Sequence, residues 1–240
     1  MTQQSGASTL AKDIILLPWD SDSPDQVQRL IKQRVDCGWN AEKVESSWAS
    51  LQKSGTKCLY WVGFSADRIE KSDELQNLLA KFMKDQTFLQ DTATSIRNVA
   101  RKPSGKDFCA IGHVSLDTEN TTIGYLNLDP IPESYWITSF FIDYSLQSLG
   151  FGRSVMDTVE GMATDPPLSA KTLVLDTLHR DDQVMIAVKY HGQEPKISNQ
   201  AWYERRGYRL FFTAQNHYRN PDKNGQVIDM RTVFMRRDLE

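Results

Sequence analysis

A strand-like run that breaks into two closely spaced glycines and then into an amphipathic helix constrains this chain more than any other feature. Residues 135–143 are rich in apolar and aromatic side chains. They lead into Gln147-Ser148-Leu149-Gly150-Phe151-Gly152-Arg153, after which Val155, Met156, Val159 and Met162 share one helical face. Glycines at such a turn permit positive φ and close backbone approach. The junction predicts a strand–turn–helix unit. Its successive N–H groups would open a concavity at a helix N-terminus, suited to phosphate or diphosphate.

The rest of the chain has to supply partners for that strand. Residues 12–19, 57–64, 108–116, 171–177, 208–213 and 227–236 read as further strands, the last two as a hairpin around Asn220-Pro221-Asp222-Lys223-Asn224-Gly225. Ser23-Pro24-Asp25-Gln26 predicts a helix start with a capping box, with Val27, Leu30, Ile31 and Val35 on one face and Gly38 at the end. A second helix is expected over residues 41–53, before Gly55. Leu75, Leu78, Leu79, Phe82, Met83, Leu89, Ala93 and Ile96 keep helical spacing, which predicts one long helix, or two broken near Thr87, over residues 72–101. Residues 199–206 read as a short helix closed by Gly207, and residues 178–198 carry no clear pattern. The order is that of a mixed sheet with helices on its faces. The small, polar residues 1–11 read as a mobile tail.

Composition narrows the function. The 240 residues are 40% hydrophobic and 25% charged, which is a globular balance. No apolar run approaches the roughly 18 residues of a spanning helix, so no membrane role is expected. Lys and Arg total 28 against 31 Asp and Glu, a net charge of −3. A non-specific nucleic-acid binder has to displace counterions and is normally basic, so nucleic acid is not an expected partner. Cys37, Cys58 and Cys109 are far apart and form no CxxC pair. They read as reduced core thiols, and with no basic, apolar leader visible the expectation is a cytoplasmic protein. His113, His179, His191 and His217 lack ligand spacing, and no metal is expected.

Three nucleotide-binding patterns compete for the glycine turn. A dinucleotide fingerprint needs a third glycine where Val155 stands. A P-loop needs Gly-Lys-Ser/Thr, whereas Gly105-Lys106 is followed by Asp107. Gln-x-x-Gly-x-Gly, over residues 147–152, does fit. With it the chain resembles the GCN5-related N-acetyltransferase (GNAT) superfamily, whose [Q/R]-x-x-G-x-[G/A] motif holds the diphosphate of acetyl-CoA on backbone amides. Gln147, Gly150 and Gly152 match that motif. Trp202-Tyr203-Glu204-Arg205-Arg206-Gly207-Tyr208 is similar to the family's late segment, a tyrosine four residues before Gly-Phe/Tyr.

The resemblance implies an α/β fold of the α+β type: a mixed, mostly antiparallel central sheet of about seven strands, helices on both faces and a helical insertion. One domain would span residues 1–240, with insertions at 65–106 and 178–198. It implies acetyl-CoA as acyl donor, held by Gln147, Ser148, Leu149, Gly150, Phe151, Gly152, Arg153 and Ser154. Phe140, Phe141 and Ile142 would bond the pantetheine arm and polarise the thioester carbonyl through backbone. Asn199, one turn from Tyr203, would also meet the cofactor. Tyr203 would be the general acid, since a phenol near pKa 10 is close enough to a thiol near 8.5 for proton transfer.

Two departures matter. Lys196 stands where many members carry an asparagine seven residues before the tyrosine. Trp136 stands eleven residues before Gln147, where histone-modifying members carry a glutamate. The general base is therefore open among Asp176, Glu133, His113 and a water chain. Trp136, with Tyr60 and Trp61, and Asp176 are candidates for the acceptor side; for the three aromatics a core role is the simpler reading. The expected activity is acetyl transfer to a primary amine of a small molecule by direct attack on the thioester, in a monomer or homodimer. Alternatives are a protein or peptide N-acetyltransferase, a non-catalytic acyl-CoA-binding module, O-acetylation, or use of a longer acyl-CoA.

Overall fold

The computed structural model describes residues 10–121, 123–126, 128–217 and 228–239. They divide into two compact units, residues 1–119 with 138–163, and residues 120–137 with 164–240.

In the first unit the strands β1 (Ile15–Pro18), β2 (Leu59–Ser65), β6 (Asp107–Asp117) and β7 (Ser134–Ile142) are neighbours in that order. Two helices connect β1 to β2. α1 (Pro24–Cys37) stops at Gly38 with φ +84°. α2 (Ala49–Ser54) follows a π turn at Val44–Trp48 and stops at Gly55 with φ +76°. Ile15 to Pro18 pair with Gly63 to Tyr60, and β2 runs antiparallel to β6. Trp19, Leu30, Trp48, Leu59, Trp61 and Phe108 form the core between helices and sheet. Burying such large apolar faces is the dominant stabilising term in the unit.

Several sequence expectations change here. Ser23 precedes α1 without a side-chain capping bond. Gln26 has better partners: its Oε1 accepts from the Asp20 N–H and Trp61 Nε1, and its Nε2 donates to the Gln90 carbonyl. Val35 is exposed, so the buried stripe of α1 ends before it. Leu10 and Ala11 are buried, so the expected tail does not reach residue 11; residues 1–9 lie outside the described residues.

The segment after β2 is helical only in its first half. α3 (Ala66–Glu70) and α4 (Asp73–Leu79) are capped by Ser65 and Ser72, and a 3₁₀ turn covers Phe82–Asp85. Beyond Thr87 the chain is extended, against the expected helix. β3 (Leu89–Gln90) pairs with β6, and β4 (Ser95–Ile96) pairs with β5 (Val99–Ala100). Arg97 and Asn98 join them at φ +54° and +60°, the left-handed pair of a tight hairpin. Asp91 closes the loop by accepting from Arg101, from the Ser104 N–H and from the Ser104 hydroxyl.

Within the second unit the strand order is β7, β8 (Thr172–Leu178), β10 (Arg231–Asp238), β9 (Arg209–Gln215). β7 belongs to both units. Its residues Ser134 to Ile137 pair in parallel with Thr172 to Leu175, while β8 with β10 and β10 with β9 are antiparallel. β10, late in the chain, therefore lies inside the sheet. α5 (Phe151–Thr164) starts in the first unit, and α6 (Arg180–His191) and α7 (Asn199–Arg205) belong to the second. α6 fills the stretch that had no clear pattern and is tied down by Asp182, which accepts from the backbone and guanidinium of Arg231. The expected hairpin turn at residues 220–225 lies outside the described residues, although the strands it joins do pair.

Candidate active site

β7 does not alternate cleanly. Trp136 and Ile137 are consecutive buried residues, and so are Phe141 and Ile142. Between them Ser139 has φ +51°, which re-aims the side chains. Thr138 and Ser139 are held from below. Lys57 Nζ donates to Thr138 Oγ1 at 3.1 Å, to Ser139 Oγ at 3.2 Å and to Asp117 Oδ2 at 3.2 Å. Gly112 of β6 faces the next part of β7. A Cβ there would fall well under 3.0 Å from the Phe141 carbonyl oxygen, so only glycine permits this approach.

The turn after β7 is built from local bonds. Asp143 accepts from the Ser145 N–H at 2.9 Å and its hydroxyl at 2.6 Å, which closes one 3₁₀ turn at Tyr144–Leu146. Leu146 is buried and anchors it. Gln147 Nε2 donates to the Ile142 carbonyl at 2.9 Å, so the motif glutamine ties the turn back to the strand. Ser148 has φ +64° and Gly150 φ +90°. Phe151 is buried edge-on against Phe64 at 5.6 Å and fixes the first turn of α5. The helix's hydrogen bonding begins with the Ser154 N–H donating to the Gly150 carbonyl. The N–H groups of Phe151, Gly152 and Arg153 precede any intrahelical acceptor and carry the positive end of the helix dipole. Ser148, Gly150 and Arg153 are exposed. This is the strand–turn–helix junction that the sequence predicts, with Asp143, the nearby acid, occupied by Ser145.

The expected strand residues differ in burial. Phe141 is buried, tilted against His113 at 5.6 Å and edge-on to Tyr144 at 5.6 Å. Ile142 is buried and Phe140 half-buried. His113, one of the base candidates, is fully buried in a polar network. Gln33 Nε2 donates to the Ala110 carbonyl, which presents Gln33 Oε1 to His113 Nδ1 at 2.7 Å. His113 Nε2 then faces Arg34 Nη1 at 3.4 Å. Burial first, then the charges of Arg34 and Lys57, hold its pKa well below the usual histidine range. It is a neutral structural imidazole.

In the second unit, Ser198 caps α7 by accepting from the Ala201 N–H at 3.2 Å, and Gly207 with φ +90° follows the helix. Tyr203 is half-buried, with its ring edge-on to Trp202 at 5.0 Å and Tyr208 at 5.8 Å. Asn199 is exposed, and its N–H donates to Gln183 Oε1. Asp176 Oδ1 accepts from Asn120 Nδ2 at 3.3 Å. Trp136 is buried, edge-on to Phe234 at 6.4 Å, in a cluster with Val174 and Ala214. Its indole is core in this unit, which is the simpler of the two roles the sequence allowed. Tyr60 and Trp61 are buried as well. The exposed Glu133 has φ +51°, and its carbonyl accepts from the Lys171 N–H.

Lys57, Asp117, Ser139 and Gly112 are the residues that reading the sequence missed. A glycine inside Phe108-Cys109-Ala110-Ile111-Gly112-His113-Val114 was the available signal. Among the described residues no three His, Cys, Asp or Glu side chains gather to hold a metal ion, and no helix is long and apolar enough to cross a membrane.

No protein-family model matches the sequence, and no curated protein matches it. Solved structures do. Arabidopsis thaliana NAA60 in complex with a bisubstrate analogue superposes with a TM-score of 0.51 at 11% identity, over 95% of this chain and 99% of that one. NAA60 in complex with acetyl-CoA gives 0.50 at 12% identity, over 94% and 98%. A GNAT family acetyltransferase from Elizabethkingia anophelis with acetyl-CoA bound gives 0.46 at 14%, over 95% and 99%. At these identities the likeness is one of architecture: the chain has a GNAT-like fold, a mixed and mostly antiparallel α+β sheet, as the resemblance in its sequence implied.

Proposed function

We propose that this protein is an acetyl-CoA-dependent N-acetyltransferase that acylates a primary amine of a small molecule. One observation carries the reading. A kinked strand enters a turn with φ +64° at Ser148 and φ +90° at Gly150, both exposed residues, and the turn leads directly into the N-terminus of the next helix. Structures of similar fold are recorded with acetyl-CoA and with a bisubstrate analogue, which supports the same chemistry here.

Acetyl-CoA would supply an activated acyl thioester. The turn fits its diphosphate: the donors are backbone N–H groups, fixed before the ligand arrives, and Arg153 adds a cation beside them. The edge of β7 at residues 140–142 would offer backbone groups to the pantetheine arm, and one N–H would face the thioester carbonyl. Such a donor stabilises the oxyanion that develops when the amine attacks, because it needs no reorganisation. Tyr203 is the proposed general acid for the departing sulfur. Its place edge-on to Trp202 and Tyr208 restricts the ring to few rotamers. His113 is removed from the list of bases by its burial, which leaves Asp176, Glu133 or water.

A thermal melt with acetyl-CoA, CoA and NADH tests the reading. A ligand at 100 times its Kd that binds the folded state alone adds about 2.7 kcal/mol. Upward shifts with acetyl-CoA and CoA, and none with NADH, are expected. No shift at millimolar acetyl-CoA would refute the proposal. A panel of small amines beside N-terminal peptides then separates the small-molecule activity from acetylation of a protein.

A further inference from the structure

Lys57 is buried, with 5% of its surface exposed, at the entrance to β2. An ammonium has three donors, and all three are used on Asp117, Thr138 and Ser139. Its charge also lies 4.4 Å from the centre of the Trp48 ring. Asp117 is buried too, and accepts from the Cys58 N–H at 2.9 Å, from Thr138 Oγ1 at 2.6 Å and from the Ser115 hydroxyl. Packing alone does not call for such a group, because an apolar side chain of similar volume often serves a core equally well.

What the ammonium does is specific to β7. Consecutive side chains of a regular strand point to opposite faces. Thr138 and Ser139 are consecutive, yet both reach one Nζ. They do so because Ser139 has φ +51°, a region that a residue with a Cβ seldom occupies unless its surroundings over-determine it. Residues 140–142 begin at that kink. We infer that Lys57 is a positioning residue: it clamps Thr138 and Ser139 in the kink and thereby sets the backbone of residues 140–142. The consequence for catalysis rests on the acetyl-CoA reading above, in which that backbone receives the thioester arm. The clamp itself does not.

The test uses the full chain with uniform ¹⁵N labelling. Lys57→Met, which keeps the stem against Trp48, is expected to move the backbone amide resonances of residues 139–142 in the free protein. It is also expected to weaken acetyl-CoA binding about tenfold, and to lower turnover by on the order of 10²-fold through misplacement of the thioester. Adding Ser139→Gly is the diagnostic step. Glycine adopts positive φ without a Cβ penalty, so it keeps the kink without the clamp. The double variant is expected to recover most of the lost affinity. Lys57→Met that folds with those amides unmoved overturns the inference, as does a loss that Ser139→Gly fails to repair. If Lys57→Met does not fold, Thr138→Val decides: displaced amides at 139–142 support the clamp and unmoved ones refute it. If the unmutated protein shows no response to acetyl-CoA, the acyl-transfer reading fails while the amides still judge Lys57.

Discussion

Gly112→Ala puts the smallest possible side chain at the point where β6 and β7 come closest. The new Cβ would meet the Phe141 carbonyl oxygen well inside 3.0 Å, the Ile142 Cα at 3.0 Å and the Ile142 Cδ1 at 3.1 Å. The first two are backbone atoms and cannot rotate away. Ordinary contact distances require the strands to part locally by about 1 Å. Overpacking of this kind costs about 1–3 kcal/mol. At about 2–4 °C per kcal/mol for a chain of this size, Tm should fall by roughly 6–12 °C at the upper end of that cost. Gly63→Ala is the matched control, because its Cβ would crowd the Cys109 carbonyl as closely but between β2 and β6. Both variants should melt early in differential scanning fluorimetry. Only Gly112→Ala displaces Phe141 and Ile142, so only it should lose most of its acetyl-CoA shift. If Gly112→Ala binds acetyl-CoA as tightly as Gly63→Ala, the β7 backbone is not the thioester's partner. If it melts with the unmutated protein, the steric argument itself is wrong.

Tyr203→Phe should lower acetyl transfer by about 10²–10⁴-fold while the acetyl-CoA shift persists; full activity in a steady-state thiol-release assay would remove the acid role. His113 is held neutral, so the unfolded state takes up more protons below its ordinary value near 6.5. Unfolding free energy should therefore fall as pH drops below that value, by up to about 1.4 kcal/mol per pH unit, and His113→Gln should remove that slope in urea titrations between pH 5 and 7. Burial alone would raise the Asp91 carboxyl, but Arg101 and Ser104 outweigh it and hold its pKa below the usual carboxylate range. Its contribution is present above pH of about 4 and lost as the pH falls through its folded value. Asp91→Asn should cost about 3 kcal/mol at pH 7, and progressively less in acid, by chemical denaturation.

The parts of the site visible in the sequence are those whose requirements are local. Gly150 and Gly207 need positive φ within their own turns. The segment after Thr87 was not legible, because its apolar spacing suits a helix while its partners are remote. Leu89 lies beside Phe108, and Asp91 finds Arg101 and Ser104, contacts that only the folded loop creates. Lys57 and Asp117 are 60 positions apart and meet only through the register of β2 on β6. The kink at Ser139 has no glycine to announce it. Trp136 packs edge-on to Phe234, nearly a hundred residues later, a contact that its own strand does not reveal.

The position of β10 has a bearing on how the chain is made. β8 and β9 are both synthesised before it, yet neither completes its pairing until Arg231–Asp238 slides between them. Until residue 238 has emerged from the ribosome, the second unit presents two unpaired strand edges, one of them the apolar run Leu173 to Leu175. Pairings between such distant segments form slowly and expose the nascent chain to aggregation. Losing a few residues of β10 would therefore leave the middle of the sheet open, whereas losing as many from β1, an edge strand, would shorten only its margin.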